Sequence, residues 1–215
     1  MRANKKNFLS ENPSRAVEAF ADYARKNNLS MEGSMLETLC SNGANGTVFA
    51  RMGINFFGID PNLDLLKNFQ EKAVRENLSA NVHLYNQEIT KPFPFEDSFF
   101  DYVLDISTSE MLVNEADFIS YASEITRVLK PNGRLMISYF SQNDALYKKF
   151  TNGDSSKIFF NKITGQKMRI FTPPDFREIY NLQLIPGFQT RIEYEEAIDG
   201  KKYNRELFIM VMEKF

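Results

Sequence analysis

Short apolar runs alternate with amphipathic stretches through the first two thirds of this chain, and that rhythm confines the fold more than any other feature. Met35-Leu36-Glu37-Thr38-Leu39 reads as a first strand, and a turn rich in Ser, Asn and Gly follows at Ser41-Asn42-Gly43-Ala44-Asn45-Gly46. Thr47 to Met52 reads as a short helix and Ile54 to Ile59 as a second strand, closed by Asp60-Pro61. Leu63 to Asn77 has helical spacing, with an apolar face through Leu65, Leu66, Phe69, Ala73 and Val74. Val82 to Tyr85 and Tyr102 to Ile106 supply a third and a fourth strand, and Ala116 to Leu129 a helix that Lys130-Pro131-Asn132-Gly133 stops. A fifth strand runs from Arg134 to Phe140. Apolar strands separated by helices specify a parallel sheet covered on both faces.

The two ends differ. Val17, Phe20, Ala21 and Ala24 give a helix with one apolar face, started near Pro13. Residues 141–170 are polar and irregular, broken by Asn143, Asn152, Gly153 and Gly165. Thr172 caps a helix that Pro173-Pro174 opens and that runs to about Asn181. Two strands, Thr190 to Glu196 and Arg205 to Met212, are joined by a turn at Asp199-Gly200. The expected fold is therefore α/β, Rossmann-like and doubly wound. Its mostly parallel seven-stranded sheet ends in an antiparallel hairpin, with helices on both faces. With 215 residues the chain suits one domain. Residues 1–30 would form a helical cap and 141–170 a segment covering a substrate.

Composition excludes several function classes. The formal net charge of −2 argues against a dominant grip on nucleic acid, and Lys148-Lys149 and Lys201-Lys202 read as solvated charges rather than a nucleic-acid track. The single cysteine, Cys40, allows no disulfide within the chain. The single histidine, His83, lies in a strand, where packing is its simplest role, so catalysis through Ser-His-Asp or Cys-His is not expected. One His and one Cys make no nitrogen- or sulfur-ligated metal site. Met1 to Asn7 is basic but leads into no apolar run, and no stretch reaches the roughly 18 apolar residues of a membrane span. The expectation is a cytoplasmic protein with no membrane partner; assembly with copies of itself is compatible with the sequence.

In an open parallel sheet, ligands collect at the carboxyl ends of the strands, near the point where strand order reverses. Those ends here carry Glu37 with its Asn/Gly turn, then Asp60, then Gln87-Glu88, then Asp105-Ile106-Ser107. Acids at successive strand ends suit a ligand with ribose hydroxyls, an amino group and an adenine edge, and an acid just past the second strand is the usual partner of ribose hydroxyls. Any one of them alone would be an ordinary solvated carboxylate; their common register is the signal.

Through these residues the chain resembles the class I S-adenosylmethionine-dependent methyltransferases, in particular the small-molecule branch that includes tellurite-resistance and quinone methyltransferases. The likeness lies in Glu37 to Gly46, in Gly58-Ile59-Asp60 and in Asn86 to Asp97 with Phe100-Asp101-Tyr102-Val103. It lies above all in Glu124-Ile125-Thr126-Arg127-Val128-Leu129-Lys130-Pro131-Asn132-Gly133-Arg134-Leu135. It covers residues 13 to 140 well and the remainder loosely. The resemblance implies S-adenosylmethionine as cofactor and a small molecule as methyl acceptor. It implies Glu37 near the methionine end, Asp60 on the ribose hydroxyls with Pro61 flanking the adenine, Glu88 on the adenine amino group and Ile89 against the ring. Asp105 to Ser107 would then lie beside the sulfonium. Arg15, Ser107, Ser109, Glu110, Tyr139 and residues 141–170 are candidates for the acceptor side, with surface or packing roles as the plainer alternative.

One departure stands out. The family's turn places three glycines at alternate positions, where this chain has Leu39, Ser41 and Gly43. Glycine permits φ > 0 and close approach of a ligand to the backbone. The substitutions leave two readings: a methyltransferase acting on a small molecule, and a catalytically inactive protein of the same fold serving as a binding or regulatory partner. A nicotinamide-binding reading fits worse, because Gly-x-Gly-x-x-Gly is missing and only Gly43 and Gly46 are available. An Asp/Asn-Pro-Pro-Tyr run for methylating bases is also missing, since Asp105-Ile106-Ser107-Thr108 stands there.

Overall fold

Hydrophobic strands and amphipathic helices fall where their periods place them. The computed structural model describes residues 12–151, 157–180, 183–198 and 200–215. Met1 to Asn7, the start of the N-terminal cap, Asn152, Gly153, Asn181 and Asp199 lie outside the described residues. The chain runs α1 (Arg15–Lys26), β1 (Ser34–Thr38), α2 (Gly46–Arg51), β2 (Asn55–Asp60), α3 (Leu63–Arg75), β3 (Val82–Asn86) and β4 (Phe100–Ile106). A single 3-10 turn at Ser109–Met111 leads to α4 (Glu115–Val128), β5 (Leu129–Phe140), α5 (Ala145–Thr151), β6 (Ile158–Asn161), β7 (Gln166–Arg169), α6 (Pro173–Tyr180), β8 (Leu184–Ile198) and β9 (Lys201–Lys214). Side-chain oxygens of Ser14, Asn62 and Asn114 accept from the first free N–H groups of α1, α3 and α4, which fixes where those helices begin.

The seven-stranded sheet has the order β3-β2-β1-β4-β5-β9-β8. Its first five strands are parallel, with Glu37 beside Gly58 and Leu104, and β9 is antiparallel between β5 and β8. Strand order reverses between β1 and β4, so the crevice at their carboxyl ends is the topological switch point. Alternation along each strand sends Leu36 and Val103 to one face and Met35 and Tyr102 to the other. The first face packs under α4 and α6 through Ile125 and Phe176, the second under α1, α2 and α3 through Phe20, Phe49 and Phe69.

Three local expectations change. Strand β5 begins at Leu129, five residues before Arg134, because Lys130 to Gly133 forms an irregular step in the β4–β5 ladder rather than a free turn. The terminal hairpin is far longer than the apolar alternation indicates, since charged residues continue both strands to Ile198 and Lys201. Residues 141–170, read as irregular, contain α5 and the β6–β7 hairpin, which enclose a small core of Tyr147, Phe159, Met168 and Ile170.

Candidate active site

The loop after β1 keeps the path of a glycine turn without its glycines. Leu39, Ser41 and Gly43 all have positive φ, at 54°, 53° and 74°. Left-handed backbone costs a side-chain-bearing residue about 1–2 kcal/mol, a strain that clusters at functional loops. What separates the three positions is where a Cβ would point. At Gly43 it would lie 2.1 Å from the Phe69 ring, so no other residue fits there. The Leu39 side chain instead rests against the core on the α4 side of the sheet and borders the cavity described next.

This cavity, of about 710 Å³, opens at the switch point between the loop, the N-terminus of α1 and the outer half of β8. Glu37, Leu39 and Ser41 form one wall, Arg15 and Glu18 another, and Ile106, Phe140 and Tyr194 close the far side. Glu37 is the chemically distinctive group. It is 2% exposed; its Oε1 accepts from Asn45 Nδ2 at 2.6 Å, and its Oε2 has no partner among the described residues. Asn45 also accepts from the Ser14 N–H at 2.8 Å, which couples the cap of α1 to the floor of the cavity. Burial pushes the Glu37 carboxyl up to about 8, against the Asn45 hydrogen bond and with the charge of Asp60 adding to the rise.

Asp60 closes β2 beneath the same loop. Its two oxygens accept from the N–H groups of Ser41 at 3.0 Å and Asn62 at 2.8 Å, and burial raises its pKa. Each oxygen retains acceptor capacity. Pro61 and Glu88 are exposed and Ile89 is buried, all at the carboxyl ends of β2 and β3 but outside the cavity lining. The β2–β3 end of the crevice is thus an open shelf, whereas Glu37 at its other end is buried.

Asp105 is fully buried and its oxygens are spent on the following turn. Oδ1 accepts from the N–H groups of Thr108 and Ser109 at 2.9 and 3.0 Å, and Oδ2 from the Ser109 hydroxyl. Ser107, at φ 59°, donates its N–H to Ser138 O and stands between this turn and Glu110. Among the acceptor-side candidates, Arg15 reaches the cavity, paired with Glu18 at 3.0 Å. Ser109, Glu110 and Tyr139 are buried below the crest. Glu110 Oε1 accepts from the Tyr147 hydroxyl at 2.8 Å and the Phe140 N–H at 3.1 Å, while its Oε2 and the hydroxyls of Tyr139 and Tyr180 have no partner. Burial pushes Glu110 up to about 8 as well, with the Tyr147 hydroxyl and the Phe140 N–H pulling the other way. No motif or periodicity singles out Tyr194, Tyr147 or Tyr180. All three arrive through the C-terminal third, whose elements were the least periodic. Among the described residues no cluster of His, Cys, Asp or Glu has metal-binding geometry, and no helix is long and apolar enough to cross a membrane.

The strand order, the antiparallel strand slotted beside β5 and a left-handed loop facing an acid at the end of β2 together define a class I methyltransferase-type α/β fold. The chain belongs to the methyltransferase domain family, which it matches over residues 29–187. It is 29% identical over 136 residues to a demethylmenaquinone methyltransferase of Staphylococcus haemolyticus, covering 59% of this chain and 55% of that protein. The chain spans about half the length of curated relatives such as this one. Its fold is shared with a SAM-dependent methyltransferase from Methanosarcina mazei, at TM-score 0.75 and 21% identity over 89% of this chain and 96% of the other. It is shared also with the 1,6-didemethyltoxoflavin-N1-methyltransferase of Burkholderia thailandensis, solved with S-adenosylhomocysteine, at TM-score 0.70 and 17% identity over 93% and 78%.

Proposed function

We propose that this protein binds S-adenosylmethionine in the switch-point crevice and transfers its methyl group to a small-molecule acceptor. The observation that carries the reading is the unpartnered, buried Oε2 of Glu37 at the cavity floor. A lone carboxylate oxygen out of water is costly, and the methionine ammonium is a group that would satisfy it. When bound, S-adenosylmethionine supplies an activated methyl on a sulfonium. The chain's part is to hold and align the reactants and to exclude water. Glu37 would anchor the ammonium and Asp60 the ribose hydroxyls through its spare lone pairs. Glu88 and Ile89 on the shelf would meet the adenine, with Pro61 at its flank and Ser41 and Gly43 beneath the cofactor. Ile106 and Ser107, held in place by the Asp105 turn, would face the methyl. The orphaned atoms of Glu110 and Tyr139 would meet the acceptor, with Glu110 able to take its proton once ionised. Arg15 would stand at the entrance, and Ser109 would act only through Asp105.

The second reading is an inactive binding partner of the same fold, and Leu39 at the cavity edge favours it. Calorimetric titration with S-adenosylmethionine and S-adenosylhomocysteine separates the two. Micromolar binding that Asp60→Ala abolishes is the expected result; a folded sample that binds neither compound refutes the cofactor assignment.

A further inference from the structure

Residues 145–170 carry Lys148, Lys149, Lys157, Lys162, Lys167 and Arg169 against a single acid, Asp154, in a chain whose net charge is −2. The fold turns part of this charge into a face. In the β6–β7 register Ile158 stands opposite Arg169 and Phe160 opposite Lys167, so these four share the side of the hairpin turned away from its core. Phe159 and Met168 take the buried side. Ile158 and Phe160 are 44% and 53% exposed; of the two cations opposite them Lys167 is exposed, whereas the Arg169 guanidinium lies over the rings of Phe118 and Phe171.

Next to this hairpin an open groove of about 310 Å³ runs between α5, the β6–β7 turn and the tip of β8–β9. Lys149, Lys162 and Lys201 stand around its apolar walls of Phe150, Ile163 and Tyr203, and no carboxylate among the described residues lines it. Lys149 Nζ pairs with no carboxylate among the described residues; it donates to the Tyr203 hydroxyl at 2.7 Å and lies 5.1 Å from that ring's centre. Lys157 and Lys202 are neutralised by Asp175 and Glu195, whereas Lys162 and Lys201 pair with no carboxylate among the described residues. Cations ringing an apolar hollow, with aromatic and aliphatic side chains protruding beside them, match an anionic head group at the boundary of a bilayer. A nucleic-acid track would need a longer, continuous basic path along the backbone it follows.

We propose that this face docks the protein on an anionic phospholipid surface, the groove taking a phosphate head group while Phe160 and Ile158 enter the acyl boundary. The contact is interfacial and departs from the expectation of no membrane partner. It does not rest on the methyltransferase reading. The β8–β9 hairpin walls both places, with Ala197 lining the cavity and Ile198 lining the groove, so docking would set the cavity beside the bilayer.

Co-sedimentation with vesicles tests the proposal, using phosphatidylcholine alone and phosphatidylcholine containing phosphatidylglycerol. The protein should pellet with the anionic vesicles at low salt and not with the neutral ones. Lys162→Glu with Lys201→Glu should cut binding about tenfold or more, since each cation near such a surface contributes appreciably. Phe160→Ser should weaken binding while leaving its salt dependence intact. All three positions are solvent-facing, and unchanged circular dichroism and Tm would verify that the variants fold. Failure of the wild type to bind anionic vesicles overturns the proposal, as does undiminished binding by the double variant. Full competition by millimolar inorganic phosphate would make free phosphate the ligand, and tighter binding of a single-stranded oligonucleotide would make it nucleic acid; either result overturns it.

Discussion

Glu37→Gln is expected to stabilise the ligand-free protein and to weaken its hold on S-adenosylmethionine. Burial raises the Glu37 pKa from 4.5 to about 8, so the native carboxyl is neutral at pH 7 while the unfolded one is ionised. Folding then takes up a proton between those two values, and stability falls as pH climbs from about 4.5 toward 8 and levels off beyond. At about 1.4 kcal/mol per pH unit, the native state has lost about 3 kcal/mol by pH 7. Gln cannot ionise and keeps an acceptor for Asn45 Nδ2, with its amide N–H standing where the neutral acid carries O–H. The variant should therefore gain about 3 kcal/mol at pH 7, about 6–12 °C in Tm for a chain of this size, and almost nothing at pH 4. Urea denaturation followed by circular dichroism across that range measures the difference. A gap that does not widen with pH refutes the burial argument.

The same substitution reads out the site. An incoming ammonium favours the ionised carboxylate, so binding by the wild type at pH 7 should release close to one proton, visible as a dependence of binding heat on buffer ionisation enthalpy. Affinity should rise from pH 6 to 8. Glu37→Gln should remove both effects and lower affinity by about tenfold at pH 8, as expected for loss of a charge-assisted hydrogen bond. Binding with no proton release would place the ammonium elsewhere.

Three further outcomes are expected. Gly43→Ala combines a left-handed φ with a clash against Phe69 and should cost about 2–4 kcal/mol in chemical denaturation; a loss below 1 kcal/mol would show the loop to be more yielding than its geometry implies. Leu39→Gly relieves a left-handed residue and clears the cavity edge, so S-adenosylhomocysteine should bind several-fold more tightly, and unchanged affinity would place Leu39 away from the ligand. Asp144→Ala leaves the 5% exposed Arg205 guanidinium with Glu196 as its one carboxylate partner among the described residues, and removes the acceptor for the Leu146 and Tyr147 N–H groups that open α5; it should cost about 3–5 kcal/mol by thermal or urea denaturation, and a surface-like loss under 1 kcal/mol would contradict the burial of that pair.

The parallel half of the sheet was legible because each strand is mainly apolar and each helix carries one stripe, so local period and tertiary burial agree over most of Met35 to Phe140. The strand-end register of Glu37, Asp60 and Glu88 was legible for the same reason. The cavity's far wall was not. Tyr194 and Glu196 sit in a strand whose outer half is held by pairing to β9 and by the buried Arg205–Asp144 bridge, and no pattern in Glu193-Tyr194-Glu195-Glu196 announces it. The partnerless atoms of Glu110, Tyr139 and Tyr180 are likewise products of packing, since burial of polar atoms contributed by three separate elements leaves no mark on local sequence period.

The altered glycine loop shows how such a motif drifts. Two distinct demands are folded into one glycine: tolerance of positive φ, and absence of a Cβ. The first costs about 1–2 kcal/mol when violated, a strain that a fold stabilised elsewhere absorbs. The second has no such latitude at Gly43, where the Phe69 ring occupies the space a Cβ would need. At positions 39 and 41 side chains are accommodated: Leu39 packs on the core flank, Ser41 lines the cavity, and both residues hold a positive φ. Loss of two of three glycines therefore does not by itself dismantle the loop, because the Ser41 N–H still reaches Asp60 and Asn45 still holds Glu37. Whether the crevice admits a cofactor then turns on the volume of one leucine side chain, and the Leu39→Gly titration measures that quantity directly.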